Sequence, residues 1–323
     1  MTGVQTCALP IWSKMKNKLA IVIPAYKACF FREVLDSLAK QSRRDFTVYI
    51  GDDASPDDLE SIVSDYKDQL DIFYFRFEQN WGGRDLVAHW ERCIELSDEP
   101  LIWLFSDDDL MPSDAVERVM KTWKKSGECD AVFRFPLAIV DSYGKLKYIN
   151  PPFETERISG YDFLLDKLSG KISSAACEYV FTRDVWKKTG GFVRFPLAWC
   201  SDDATWAKFA DYTAGIISLP GTPVYWRNAE NKNISNSMRF DGEKLKATGL
   251  FLKWIGMNYR LNLRESRFQD ALVTYVNVIL ECSVRGNYTL KDLFSLYAIL
   301  RKLSPTMALR VLRSHILKAK LFI

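Results

Sequence analysis

The sequence predicts an α/β protein built on an open, mostly parallel sheet flanked by helices. Three observations predict it. Short, continuous, β-branched apolar runs recur, as strands buried on both faces require. Stretches with apolar residues at helical spacing separate them. Each run stops abruptly at Asp, Gly, Arg or Pro, and ligands bind beyond the carboxyl ends of strands in such sheets.

Taken in order, Leu19-Ala-Ile-Val-Ile-Pro24 reads as the first strand, broken by Pro24-Ala25-Tyr26-Lys27. Phe30 to Gln41 reads as a helix with Phe31, Val34, Leu35 and Leu38 on one face. Phe46 to Ile50 is a second strand, ending in Gly51-Asp52-Asp53-Ala54-Ser55-Pro56-Asp57. Ser55 or Asp57 is suited to cap the helix from Leu59 to Tyr66. Ile72 to Phe77 is a third strand, closing on Asn80-Trp81-Gly82-Gly83-Arg84, and residues 85–96 form a third helix.

The fourth strand, Pro100 to Phe105, runs into Ser106-Asp107-Asp108-Asp109, with Pro112 just beyond. Unpaired acids are expelled from a buried strand because a lone charge there costs several kcal/mol. At the strand tip they can share a divalent cation instead, and hard oxygen ligands suit Mg²⁺ or Mn²⁺ bridging to substrate phosphates. An isolated acidic triplet would read as a turn. Here Asp52, Asp53 and Arg84 end neighbouring strands, so one sheet edge collects acids, a base and glycines.

Beyond residue 112 the pattern loosens. Helices are expected over Ser113–Lys125, Tyr161–Leu168, from Val185 to Gly190-Gly191, and through Trp206 to about Ala210. Strands are expected at Ala131–Phe135, Glu178–Thr182, Gly215–Pro220 and Val224–Arg227, with a Pro- and Gly-punctuated connection around 141–160. Past about residue 240, Leu, Phe, Tyr and Val alternate with Lys and Arg at helical spacing.

The 323 residues are 48% hydrophobic and 26% charged, long enough for one large core or two smaller ones. A net charge of +3 favours no polyanionic partner, and no nucleic acid is expected. Seven irregularly spaced Cys and two His argue against a zinc site or a disulfide framework and for a reducing cytoplasm. No apolar run reaches membrane-spanning length. Residues 1–14 resemble a translated adapter sequence rather than a secretory signal, which places the natural start at Met15.

Ile21-Val-Ile-Pro-Ala-Tyr26 with Gly51-Asp-Asp-Ala-Ser-Pro-Asp57 resembles the nucleotide-binding half of family 2 glycosyltransferases with the GT-A fold. Ser106-Asp-Asp-Asp109 is similar to that family's DxD-type motif. Gly190-Gly-Phe192 and Ser201-Asp-Asp-Ala-Thr-Trp206 are similar to its later segments. The resemblance covers about residues 19–230. It implies a nucleotide-sugar-binding half (15–112), an acceptor-binding half (113–230) and a helical C-terminal extension (231–323).

The resemblance further implies a nucleotide diphospho-sugar donor, UDP-linked, lying along Pro24, Ala25 and Tyr26. Asp53 or Asp52 would hold the uracil or ribose, and Arg84 the base or diphosphate. Asp107 and Asp109 would hold Mn²⁺ or Mg²⁺, with Asp108 beside the donor, and Arg227 would clamp the diphosphate. Transfer would proceed with inversion. Either Asp202 or Asp203 would be the base, the other capping the helix that carries Trp206. Gly191, Phe192 and Trp199 would meet the acceptor. Relatives often carry a His after the Arg of the last strand; here Arg227 is followed by Asn228, with Asn231, Asn233, Ser235 and Ser237 beyond. His89 and His315 read as structural or surface residues.

Leu290 to Ile323 is apolar on one face and basic on the other. Such helices suit an anionic bilayer and a lipid-linked glycan acceptor at the inner face of a bacterial plasma membrane. The alternative is packing on the catalytic domain or on a second subunit of a homodimer. Two rival functions remain on the same fold. A nucleotidyltransferase normally has a Gly-rich basic loop where this chain has Pro24-Ala25-Tyr26-Lys27. A non-catalytic nucleotide- or carbohydrate-binding protein would have no need of the acids at 107–109 and 202–203.

Overall fold

A computed structural model of the chain describes residues 17–319 apart from 152, 230–232, 234–235 and 285. The leader and the start at Met15, and with them Asn231 and Ser235, lie outside the described residues. The first half alternates as expected: β1 (Leu19–Ala25), α1 (Phe31–Ala39), β2 (Phe46–Asp52), α2 (Leu59–Ser64), β3 (Ile72–Arg76), α3 (Leu86–Ile94) and β4 (Leu101–Leu104). The second half continues with α4 (Ala115–Lys125), β5 (Val132–Arg134), β6 (Leu137–Val140), β7 (Leu146–Ile149), β8 (Arg157–Ile158), α5 (Gly160–Leu168), β9 (Tyr179–Thr182), α6 (Arg183–Lys188), α7 (Ser201–Tyr212), β10 (Ile216–Ser218) and β11 (Val224–Arg227). Four tail helices follow: α8 (Asp241–Asn258), α9 (Ser266–Val278), α10 (Leu290–Leu303) and α11 (Pro305–Ala319).

Eight strands form one sheet in the order β3-β2-β1-β4-β9-β5-β10-β8. The β3, β2, β1 and β4 strands are parallel, as are β5 and β10, whereas β9 runs antiparallel between β4 and β5. A second sheet, β11-β6-β7, was not expected from the sequence. The 141–160 stretch contributes β7 and β8 to the two sheets rather than forming a plain connection.

Strand β1 shows why the core has two layers. Leu19, Ile21 and Ile23 point to one face, packed with α1, α2 and α4. Ala20 and Val22 point to the other, in a cluster with α3, α5, α7 and the tail helices. Each fully buried aliphatic side chain contributes about 1.5–3 kcal/mol. Leu296, Leu300, Met307 and Val311 of α10 and α11 belong to that second cluster, so the tail packs against the rest of the chain. Leu290 and Phe294 stay exposed on α10. No described helix is long and apolar enough to cross a membrane.

Helix starts follow side-chain capping. Asp58 caps α2, accepting from the Ser61 amide at 3.0 Å, in place of the expected Ser55 or Asp57. Ser55 is occupied elsewhere: its hydroxyl donates to the Tyr26 carbonyl at 2.6 Å, and its side chain accepts from the Asp57 amide. Asp85 caps α3 through the Ala88 amide.

Candidate active site

The loops after β1, β2, β3 and β4 meet at one edge of the sheet and enclose a cavity of about 540 Å³. Pro24, Tyr26, Lys27, Asp53, Gly82, His89 and Asp107 to Asp109 are among the residues that line it. Five of the predicted donor residues therefore share one wall: Pro24, Tyr26, Asp53, Asp107 and Asp108.

Asp53 organises the loop after β3. Its oxygens accept from the Trp81 amide at 2.8 Å and the Gly82 amide at 2.7 Å, and Arg92 also donates to it. The Arg92 guanidinium lies 3.7 Å over the Phe77 ring and 4.6 Å over Trp81. His89, 3.5 Å from Asp53, is buried, and burial pushes its pKa down to about 4 despite the nearby carboxylate. It therefore stays neutral near pH 7, a polar wall of the cavity rather than a charge.

A Cβ on Gly82 would lie 2.7 Å from Asp53 Oδ2, closer than atoms can approach. Gly82→Ala is therefore expected to displace Asp53 or the loop. Nucleotide affinity should fall about tenfold with little loss of Tm, an effect readable by calorimetric titration with UDP. Unchanged affinity would show that Asp53 does not set the shape of this cavity.

The carboxylates after β4 are bound tightly to their surroundings. Asp107 Oδ2 accepts from the amides of Tyr26 and Lys27, both at 2.8 Å. Asp108 accepts from Lys27 Nζ at 2.5 Å and from Ser106 Oγ at 2.6 Å. Lys27 Nζ is also 3.5 Å from Asp107. Asp109 accepts from the Arg227 amide at 2.8 Å. Burial, and then the charge of Asp108, raises Asp109 well above the usual carboxylate range.

Asp107, Asp108 and Asp109 all line the cavity, with Asp109 additionally held by the Arg227 amide. Among the described residues, no group of three or more His, Cys, Asp or Glu is arranged to hold a metal ion. Two hard carboxylates fit an ion such as Mg²⁺ or Mn²⁺ that takes its remaining ligands from water and substrate phosphate.

Four predicted donor residues lie outside this lining. Ala25 is fully buried in β1. Asp52 is also fully buried, and its carboxylate accepts from the Ser55 amide, the Tyr74 hydroxyl and Arg76. Arg84 is exposed on the loop. Arg227 is buried, donating to Glu33, to the Asp108 carbonyl at 2.9 Å and to the Ser142 carbonyl at 3.1 Å, with Phe30 4.2 Å below it. It braces the acidic loop instead of reaching into the cavity. Asn233, from the polar loop after β11, does line the cavity.

A second cavity, also of about 540 Å³, adjoins the first. Leu86, Trp90, Ala176 and Trp226 line both. Trp199, Asp202, Asp203, Lys167 and Tyr275 line the second alone. Neither aspartate caps α7: the N-cap residue is Cys200, in left-handed backbone at φ 64°, with no side-chain hydrogen bond to the helix. Asp203 is buried and paired to Lys167 Nζ at 2.9 and 3.0 Å. Asp202 is half-buried. Burial, then the charge of Asp203, pushes Asp202 up to about 7 against the pull of Lys167.

Gly191 and Phe192 do not line this cavity. Gly191 has φ +76°, and a Cβ there would lie 2.3 Å from Glu91, so turn geometry accounts for it. Phe192 is buried in the core, edge-on to Trp90 and Trp206. Sequence reasoning gave no role to Lys27, Trp90, Lys167 or Trp226. The spacing that could have flagged α3 is His89, Trp90 and Arg92 directly after the Asn80–Gly83 loop.

A family model described as "Glycosyl transferase family 2" matches residues 20–184. An uncharacterised glycosyltransferase of Rickettsia typhi is 24% identical over 192 residues, 59% of this chain and 58% of that protein. The match therefore spans little more than half of the relative's length. Residues 1–349 of S. aureus TarS in complex with UDP-GlcNAc superpose with a TM-score of 0.65 at 16% identity, covering 88% of this chain and 80% of that one. The same TarS segment with UDP gives a TM-score of 0.63 at 16% identity, covering 92% and 88%. At such identity the likeness is one of fold.

A largely parallel sheet with acids gathered at its carboxyl edge, superposing on TarS, is the GT-A fold. The chain belongs to glycosyl transferase family 2.

Proposed function

We propose that this protein transfers a sugar from a uridine diphospho-sugar to a glycan or lipid-linked hydroxyl, with inversion. One observation carries the reading: the cavity lined by Asp53 and Asp107 adjoins the cavity lined by Asp202, with Leu86, Trp90, Ala176 and Trp226 lining both. The TarS complexes, which hold UDP-GlcNAc and UDP, support a UDP-linked donor.

In this reading Tyr26 and Asp53 position the nucleoside. Asp107 and Asp108 would hold Mn²⁺ or Mg²⁺, which neutralises the leaving diphosphate when bound. Trp90, Trp199 and Trp226 offer flat apolar faces to an acceptor ring, with Asp202 beside its hydroxyl. The hydroxyl oxygen attacks the anomeric carbon and Asp202 takes its proton. The bond from that carbon to the diphosphate oxygen breaks, and UDP leaves with the electron pair. Asp202, rather than Asp203, is the base because Asp203 is already paired to Lys167.

A panel of nucleotide sugars tests the reading, with binding and turnover measured with and without Mn²⁺ or Mg²⁺. One donor is expected to bind and turn over, and Asp107→Asn should weaken it at least about tenfold. A protein that binds no donor under either condition is not a glycosyltransferase. Retained binding without turnover on any acceptor would favour the non-catalytic alternative.

A further inference from the structure

Lys27 approaches the acidic pair twice. Its backbone amide donates to Asp107, and its ammonium reaches Asp108 at 2.5 Å and Asp107 at 3.5 Å. The side chain is about one-third exposed and faces the donor cavity. One residue therefore anchors its own main chain on Asp107 and lays a positive charge across the two carboxylates.

We propose that Lys27 is a tethered cation that competes with the divalent ion for Asp107 and Asp108. The ion then binds tightly only after a nucleoside diphosphate has drawn the ammonium away. This inference rests on the assignment of Asp107 and Asp108 as the ion's ligands.

The competition follows from space and charge. Mg²⁺ needs oxygen ligands at about 2.1 Å and tolerates little distortion. The Asp108 oxygen that would supply one is in contact with an ammonium, and the other Asp108 oxygen accepts from Ser106. An ion arriving there meets a like charge that cannot diffuse off, because the Lys27 amide is fixed 2.8 Å from Asp107. Tethering gives the ammonium a high effective concentration at the pair. Its four-carbon stem is flexible enough to leave when a better anion arrives. A diphosphate in the same cavity is such an anion, so donor and ion favour each other's binding, and that coupling is reciprocal.

The test is Mn²⁺ binding, followed by the electron paramagnetic resonance of the free ion, on wild type, Lys27→Met and Lys27→Gln, each with and without UDP. Without UDP, both variants should bind Mn²⁺ at least about tenfold more tightly than wild type, because the competing charge is gone. Adding UDP should tighten Mn²⁺ binding in wild type by a larger factor than in either variant. Variants that bind Mn²⁺ no more tightly than wild type overturn the proposal. So does an absence of Mn²⁺ binding in all three proteins, and if UDP still binds wild type the donor reading survives that result. Wild type that binds neither UDP nor Mn²⁺ removes the donor reading as well. Two variants are used so that poor folding of one leaves the comparison intact.

Discussion

Asp202→Asn is expected to lower kcat by about a hundred- to ten-thousandfold while leaving UDP affinity unchanged, since a positioned base contributes that range. The amide keeps the size of the side chain and loses only the ability to accept a proton. In the wild type the base must be ionised, and its pKa is pushed up to about 7. Turnover should therefore rise with pH and level off above about 7, and that inflection should vanish in the variant. A wild-type profile flat from pH 5 to 8 would remove Asp202 as the base.

Stability should move the other way. An unfolded Asp titrates near about 3.9. The folded pKa lies above that value, so ionising Asp202 weighs against the folded state. This contribution grows as pH rises from the unfolded pKa through the folded one and is constant above it. Asp202→Asn should thus raise Tm by roughly 2–5 °C at pH 8 and by less at pH 5, as scanning calorimetry would read. A substitution that removes the chemistry and stabilises the fold marks a group held in place at a cost, as active-site acids are.

Arg134→Met should destabilise the protein by about 3–5 kcal/mol. Arg134 and Glu178 are both buried, with Nε 2.7 Å from Oε1. The guanidinium also donates to the Ser173 carbonyl at 3.1 Å and lies 4.3 Å over the Phe153 ring. Burial pushes Glu178 up to about 7 even beside that charge, so without Arg134 it must be protonated or leave the core. The loss should be larger at pH 8 than at pH 5, where a neutral carboxyl is less out of place. Removing both partners, as Arg134→Met with Glu178→Leu, should recover much of the Tm. Equal Tm in the single and double variants would show that the unpaired Glu178 is not what destabilises the single one. Ala176 and Cys177, just before Glu178, line the donor cavity, so donor affinity should fall in the single variant.

The lining of the first cavity was legible because its signals are local. A β-branched run and the polar residue that ends it are neighbours in sequence, and Pro24, Asp53 and Asp107 to Asp109 were found by that rule. What the sequence hid was distant pairing. Leu137–Val140 is four residues long and becomes a strand by lying between Val224–Arg227 and Leu146–Ile149. The antiparallel insertion of β9 changes no residue pattern, since it is buried on both faces like its neighbours. Arg227 read as a diphosphate clamp because its bond to Glu33 spans 194 positions. Asp202 and Asp203 looked equivalent until Lys167, on another helix, claimed one of them. Gly191 carried a family motif whose physical cause is a left-handed turn against Glu91.

Tyr275 and Val278 of helix α9, with Ile279 just after it, line the cavity beside Asp202, and Tyr275 meets Cys200 at 3.0 Å. None of these three lines the first cavity. The surface that would greet an acceptor is therefore encoded in two distant stretches of the gene. Because the tail shares its buried core with α5 and α7, a change of side-chain volume in either stretch must be matched in the other. Such a wall is remodelled by paired substitutions rather than by exchange of one segment.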